Sequence, residues 1–163
     1  MNQILDRDIA AGRRAIEAEA QALRDLAGAL DETFGRAVEV LANVTGRVIL
    51  SGMGKSGHVA RKIAATMASV GTPAQFVHPG EASHGDLGMI TRADAVICLS
   101  NSGETSELSD IIAYARRFQV PLIGMVGRGG NTLSENADVA LVCPPAVEAC
   151  PLGLAPTTST TMM

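Results

Sequence analysis

The 163-residue sequence predicts an α/β fold: a doubly wound, five-stranded parallel sheet with helices on both faces, preceded by N-terminal helices. Two observations carry that prediction. Short apolar runs alternate with longer helical patterns, and a run such as Val48-Ile49-Leu50 is apolar on both faces, as a strand covered on either side must be. Glycine- and serine-rich turns, Gly52-Met53-Gly54-Lys55-Ser56-Gly57 and Ser100-Asn101-Ser102-Gly103-Glu104-Thr105, directly follow two of those runs. In a parallel sheet, ligands bind at the carboxyl ends of the strands, where such turns meet helix N-termini and offer free N–H groups to an anion.

Each element follows from its own pattern. Ile4, Ile9, Ile16, Leu23, Leu26 and Leu30 recur at helical spacing among charged residues, and Phe34, Val38 and Leu41 continue a second helical pattern that ends near Gly46. These helices fill 1–45 and the α/β core fills 46–163, within one domain. In the core, strands are predicted over 47–51, 74–77, 93–99, 121–126 and 139–142. Helices are predicted over 56–70 and 105–118, a short helical turn over 132–136, and a turn-rich stretch over 79–88. Pro156 and the hydroxyl run from Thr157 to Thr161 read as a capped helix start, after which only Met162 and Met163 follow.

Composition narrows the function classes. With 47% hydrophobic and 18% charged residues the chain can bury one core. A net charge of −4 and 2% aromatics exclude a nucleic-acid partner, which needs cations for phosphates and rings for bases, so a small-molecule ligand is expected. Cys98, Cys143 and Cys150 form no Cys-x-x-Cys pair and are odd in number, which fits reduced thiols and a cytoplasmic setting. No signal-peptide core opens the chain, and no apolar run is long enough to cross a membrane.

Three motifs compete for the first turn. A P-loop needs a glycine five residues before Gly54, where Ile49 stands. Gly52-x-Gly54-x-x-Gly57 fits a dinucleotide fingerprint, but the following strand ends Phe76-Val77-His78-Pro79 without the acid that takes a ribose hydroxyl, and Glu81 lies beyond a Pro-Gly. In the third reading the turn holds a sugar phosphate through Ser56 and neighbouring amides, with Lys55 as a cation near a developing oxyanion. The alternative is a tight turn with a solvated lysine. The second turn is more specific: Ser100, Ser102 and Thr105 place hydroxyls within six residues, where one N-cap would need a single hydroxyl. Glu104 and Glu107 fall in the first turn of the predicted helix, where they complement its dipole or meet a ligand.

Those two turns, together with His78-Pro79-Gly80-Glu81-Ala82-Ser83-His84-Gly85-Asp86-Leu87-Gly88 and the string from Glu148 to Thr161, resemble the arabinose-5-phosphate isomerases among the SIS (sugar isomerase) domains. The resemblance runs from about Arg47 to the last residue and implies an SIS-type, flavodoxin-like sheet. It also implies isomerisation of D-ribulose 5-phosphate and D-arabinose 5-phosphate through an enediol, which supplies a precursor of Kdo for lipopolysaccharide or capsule. Carried over by motif, Gly54, Ser56, Ser100, Asn101, Ser102, Glu104 and Thr105 would bind the phosphate, with Lys55, Glu107, Glu148 and His84 in catalytic positions. Glu148 would be the base and Lys55 the electrophile.

No cofactor is implied. His78, Glu81, His84 and Asp86 are the metal-ligand candidates, but an enediol route needs no metal, so no metal is assigned and His84 is read as touching sugar hydroxyls. The resemblance further implies a homotetramer. Family members continue past the position of Met163 with a helix and a segment holding a histidine of a neighbouring site, and many add a pair of CBS modules. The chain is therefore expected to be a piece of a longer protein or to lack a catalytic group, and to be less active than an extended form. Two other readings stand beside the isomerase: a different SIS isomerase, acting on hexulose 6-phosphate or sedoheptulose 7-phosphate, and a non-catalytic sugar-phosphate-binding module.

Overall fold

The computed structural model describes residues 3–163. Met1 and Asn2, the first residues of the expected helical region, lie outside the described residues. Helix α1 spans Gln3–Ala29 and α2 spans Glu32–Ala42, with the Asp31 carboxylate between them accepting the Thr33 N–H at 2.8 Å as an N-cap. Ala37, Val40 and Leu41, at helical spacing, turn one face of α2 onto the sheet. α1 meets the rest of the chain near Ala22 and Leu26, while Ile4, Leu5, Ile9 and Ile16 stay exposed.

Strands β1 (Val48–Gly52), β2 (Ala74–Phe76), β3 (Ala95–Ser100), β4 (Leu122–Val126) and β5 (Val139–Val142) form one parallel sheet in the order β2-β1-β3-β4-β5. The intervening helices are α3 (Gly54–Ser69), α4 (Pro79–Ser83), α5 (Ser109–Phe118), α6 (Thr132–Asn136) and the terminal α7 (Thr158–Met162). Alternation within the buried strands sorts the core into two layers. Ile49, Val96 and Cys98 face Ile111, Ile112 and Ala115 of α5, whereas Val48, Leu50, Ile97 and Leu99 face Ala60 and Ala64 of α3. The sheet is therefore doubly wound, and burial pushes the Cys98 thiol up to about 12, which leaves it a packing residue.

Two boundaries differ from the sequence reading in ways that matter for the site. The helix expected over 105–118 starts at Ser109 and is preceded by a 3-10 turn, Ser106–Leu108. Thr105 is extended there (φ −68°, ψ 109°) because its hydroxyl is tied to Ser100, so Glu104 and Glu107 do not occupy the first turn of an α-helix. The turn-rich stretch over 79–88 contains α4 and a 3-10 turn, Asp86–Met89. Pro79 fits the first turn of α4 because its fixed φ suits a position that needs no intrahelical N–H bond.

At the opposite end of the strands Asp94, 2% exposed, ties β1 to β3. Its carboxylate accepts the Arg47 N–H at 2.6 Å, the Thr91 N–H at 2.7 Å and the Thr91 hydroxyl at 3.0 Å. Burial alone would raise this carboxyl, but those donors outweigh it and hold it below the usual carboxylate range. Asp94→Asn is expected to cost about 2–3 kcal/mol at neutral pH, since an amide cannot accept at both ends. Because the folded-state value is depressed, the stabilisation is present above the unfolded value of about 3.9 and is lost as pH falls through the folded one. Denaturant melts of both proteins should therefore converge on acidification; a constant gap would reject the assignment.

Among the described residues, no helix is long and apolar enough to cross a membrane.

Candidate functional site

Gly52 of β1 stands opposite Leu99 of β3, so the two glycine-rich turns leave adjacent strands at neighbouring points. From β1 the chain passes through α3 to β2 on one side, and from β3 through α5 to β4 on the other. The strand order reverses between them, which opens a crevice at the carboxyl ends.

The first turn is built for close approach. A Cβ on Gly57 would lie 2.5 Å from the Gly52 carbonyl oxygen, so strand and helix meet only because position 57 carries no side chain. Gly54 has φ +55°, which lets the backbone swing directly from strand into helix. α3 thus begins two residues earlier than its sequence pattern suggests, with Met53 before it and no side-chain cap. Its first-turn amides at the crevice receive no side-chain partner among the described residues, and the dipole of a 16-residue helix points its positive end there. Ser56 is half-buried, and Lys55 is exposed in a groove that it shares with His58, Lys62, Thr160 and Thr161.

The second turn brings its hydroxyls together. The buried Ser100 Oγ accepts the Gly103 N–H at 3.0 Å and lies 2.7 Å from Thr105 Oγ1 and 3.5 Å from Ser102 Oγ. Ser102 Oγ accepts the Glu104 N–H at 3.2 Å. Asn101 is exposed and its carbonyl accepts the Gly127 N–H at 3.0 Å. Gly103, at φ +70°, rests against the side chain of Asn131. Glu104 binds Thr132, the first residue of α6.

The other candidates are spread around these turns. Glu107 is exposed, accepts from the Ser106 hydroxyl at 2.9 Å, and sits below the ordinary carboxylate range chiefly through its own backbone N–H. α4 packs on α5 and on the 3-10 turn that holds Glu107, which brings exposed His84, at the end of α4, to that side of the loop. His78 caps α4: its Nδ1 accepts the Gly80 N–H at 3.1 Å. Among the described residues no three His, Cys, Asp or Glu side chains gather to hold a metal ion, so His78, Glu81, His84 and Asp86 are not brought together as ligands.

Glu148 holds the start of the last helix. One carboxylate oxygen accepts the Thr157 N–H at 2.6 Å and the Thr157 hydroxyl at 2.8 Å, and the other accepts the Ser159 hydroxyl. Burial would raise this carboxyl, but the Ser159 and Thr157 donors outweigh it and bring it down to about 2. The hydroxyl run at 157–161 reads in the sequence as its own cap; Thr157 makes no side-chain cap, and the cap comes from Glu148 across the loop. α7 also packs on α3, so the groove holding Lys55 lies against the same helix that Glu148 caps. Lys55 and Glu148 form no ion pair among the described residues.

Sequence reading missed Asn131 and Thr132, which brace the second turn. The signal was present: Asn131 and Ser134 make a reciprocal capping box, and Asn-x-x-Ser ahead of a short helix is a variant of that signature.

The SIS domain family model matches residues 41–163. The chain is 52% identical over 151 residues to the arabinose 5-phosphate isomerase KdsD of Salmonella typhi, which covers 93% of this chain and 46% of that protein. It is 49% identical over 162 residues to the KdsD of Pseudomonas aeruginosa, covering 99% of this chain and 49% of that protein. The chain therefore spans about half the length of the curated relatives it matches. The solved structure of an Escherichia coli CFT073 protein in complex with arabinose 5-phosphate superposes with a TM-score of 0.92 at 38% identity, covering 99% of this chain and 85% of that one.

Proposed function

This chain belongs to the SIS domain family, and we propose on that premise that it interconverts D-ribulose 5-phosphate and D-arabinose 5-phosphate through an enediol. The observation that carries the reading is the convergence of the Ser100, Ser102 and Thr105 hydroxyls beside the uncapped start of α3, at the reversal of strand order. In this reading Gly54, Ser56, Ser100, Asn101, Ser102 and Thr105 hold the phosphate. Glu148 moves the proton between C1 and C2, Lys55 stabilises the developing oxyanion, and Glu107 and His84 meet the sugar hydroxyls. The product would enter Kdo synthesis.

Cytoplasmic residence belongs to the same proposal and is supported by three free cysteines. A homotetramer is supported by the exposed Ile4, Leu5, Ile9 and Ile16 along α1, an apolar stretch that a lone domain leaves in water.

The experiment is an NMR assay with D-arabinose 5-phosphate, and ribulose 5-phosphate signals are expected to grow in. Conversion of a hexulose or sedoheptulose phosphate in place of the pentose would assign a different SIS isomerase. Shifts of the Ser100–Thr105 amides without turnover of any of these would make the chain a binding module, a reading favoured by the occupation of both Glu148 oxygens by donors.

A further inference from the structure

Glu104 carries a negative charge inside a loop whose proposed ligand is a phosphate, and like charges at such a distance repel. Its contacts resolve the conflict. Oε1 accepts the Thr132 N–H at 2.8 Å and Oε2 accepts the Thr132 hydroxyl at 2.6 Å, so both oxygens are engaged by one residue of the next loop. The Thr132 hydroxyl, then its N–H, hold this carboxyl below the ordinary range, and the Arg128 guanidinium adds to the effect. Two backbone bonds run beside this clamp: Leu133 N–H to the Gly103 carbonyl at 3.0 Å, and Gly127 N–H to the Asn101 carbonyl at 3.0 Å. Asn131, whose side chain caps α6, fills the space against Gly103. The turn after β3 is thereby fixed to the turn after β4.

We propose that Glu104 is a positioning residue: by clamping Thr132 it holds the 103–105 backbone where the Ser100, Ser102 and Thr105 hydroxyls converge, so the phosphate site is formed before the sugar arrives. Thr132 is the other half of the device. A site ordered in advance loses less freedom on binding, and a supporting contact acts through that saving without touching the ligand. The inference rests on the phosphosugar reading of this loop.

The test titrates D-arabinose 5-phosphate and, separately, inorganic phosphate into the 163-residue chain by calorimetry, with melting temperatures measured alongside. The wild type is expected to bind both. Thr132→Ala should weaken both ligands about tenfold with little change in melting temperature, and Thr132→Ser, which keeps the hydroxyl, should restore them. Glu104→Ala, which also loses the bond from the Thr132 N–H, should weaken them at least as much, and the double variant should be no weaker than Glu104→Ala, because the Thr132 hydroxyl then has no bond left to lose. Wild-type affinity in Thr132→Ala, additive losses in the double variant, or tighter binding by Glu104→Ala would each overturn the inference while leaving the phosphosugar reading intact. Failure of the wild type to bind the sugar phosphate at all would remove that reading and this inference with it.

Discussion

Glu148→Gln is expected to lower kcat by about a thousandfold with little change in KM, the loss that follows removal of a general base. The glutamine amide oxygen can still accept from Thr157, so α7 keeps part of its cap and the loss can be read as chemistry. In the free protein the carboxylate sits at about 2, a weak base, because Ser159 and Thr157 stabilise its charge. To take a proton it must shed those donors, and Ser159→Ala removes the one that depresses it most. That variant should move Glu148 up toward the ordinary glutamate value of about 4.3, and the acid limb of kcat/KM should move up with it. Stability should follow the same sign. A depressed folded-state value means that the contribution of Glu148 is present above the unfolded value of about 4.3 and fades as pH falls toward the folded one. Urea melts from about pH 6 to about pH 3 should therefore fall less steeply in Ser159→Ala than in the wild type. An unchanged kcat in Glu148→Gln would end its assignment as the base.

The sheet was legible in the sequence because a strand buried on both faces writes itself as an unbroken apolar run, and two of those runs here are followed by turns of glycines and hydroxyls. The order β2-β1-β3-β4-β5 places those two turns on adjacent strands, at the carboxyl end where the strand order reverses. The partner of each polar side chain was not legible. Glu104 reads as a ligand or a dipole residue, and only the approach of α6 shows that Thr132 takes both its oxygens. Thr157 and Ser159 read as a self-capping run, whereas their donors converge on a carboxylate nine to eleven residues earlier. Such pairings depend on which loops meet at the end of the sheet, a tertiary fact that neither periodicity nor local propensity encodes. The start of α5 moved for the same reason: the Ser100–Thr105 hydroxyl bond holds Thr105 extended where an apolar pattern alone allows a helix.

Gly103→Ala tests how rigidly those loops are joined, and it should cost about 2–3 kcal/mol. Two effects add. Position 103 has φ +70°, where an alanine Cβ costs about 1–2 kcal/mol. That Cβ would also fall inside the Asn131 side chain, which is buried and fixed by its bonds to the Ser134 N–H and the Arg128 carbonyl, so Asn131 must leave its cap, at about 1 kcal/mol more. For a chain of this length the melting temperature should fall by about 4–12 °C, and sugar-phosphate affinity should fall with it because the Gly103 N–H no longer meets Ser100 Oγ. Gly129→Ala is the control, since nothing lies near a Cβ there and its φ is outside the left-handed region. The two effects separate in a second variant. Asn131→Gly in the Gly103→Ala background removes the collision, and glycine at an N-cap costs only a few tenths of a kcal/mol. The double variant should thus recover about 0.5–1 kcal/mol and retain the cost of the positive φ. If it is no more stable than Gly103→Ala alone, the collision with Asn131 is not what fixes glycine at this position, and backbone conformation alone accounts for it.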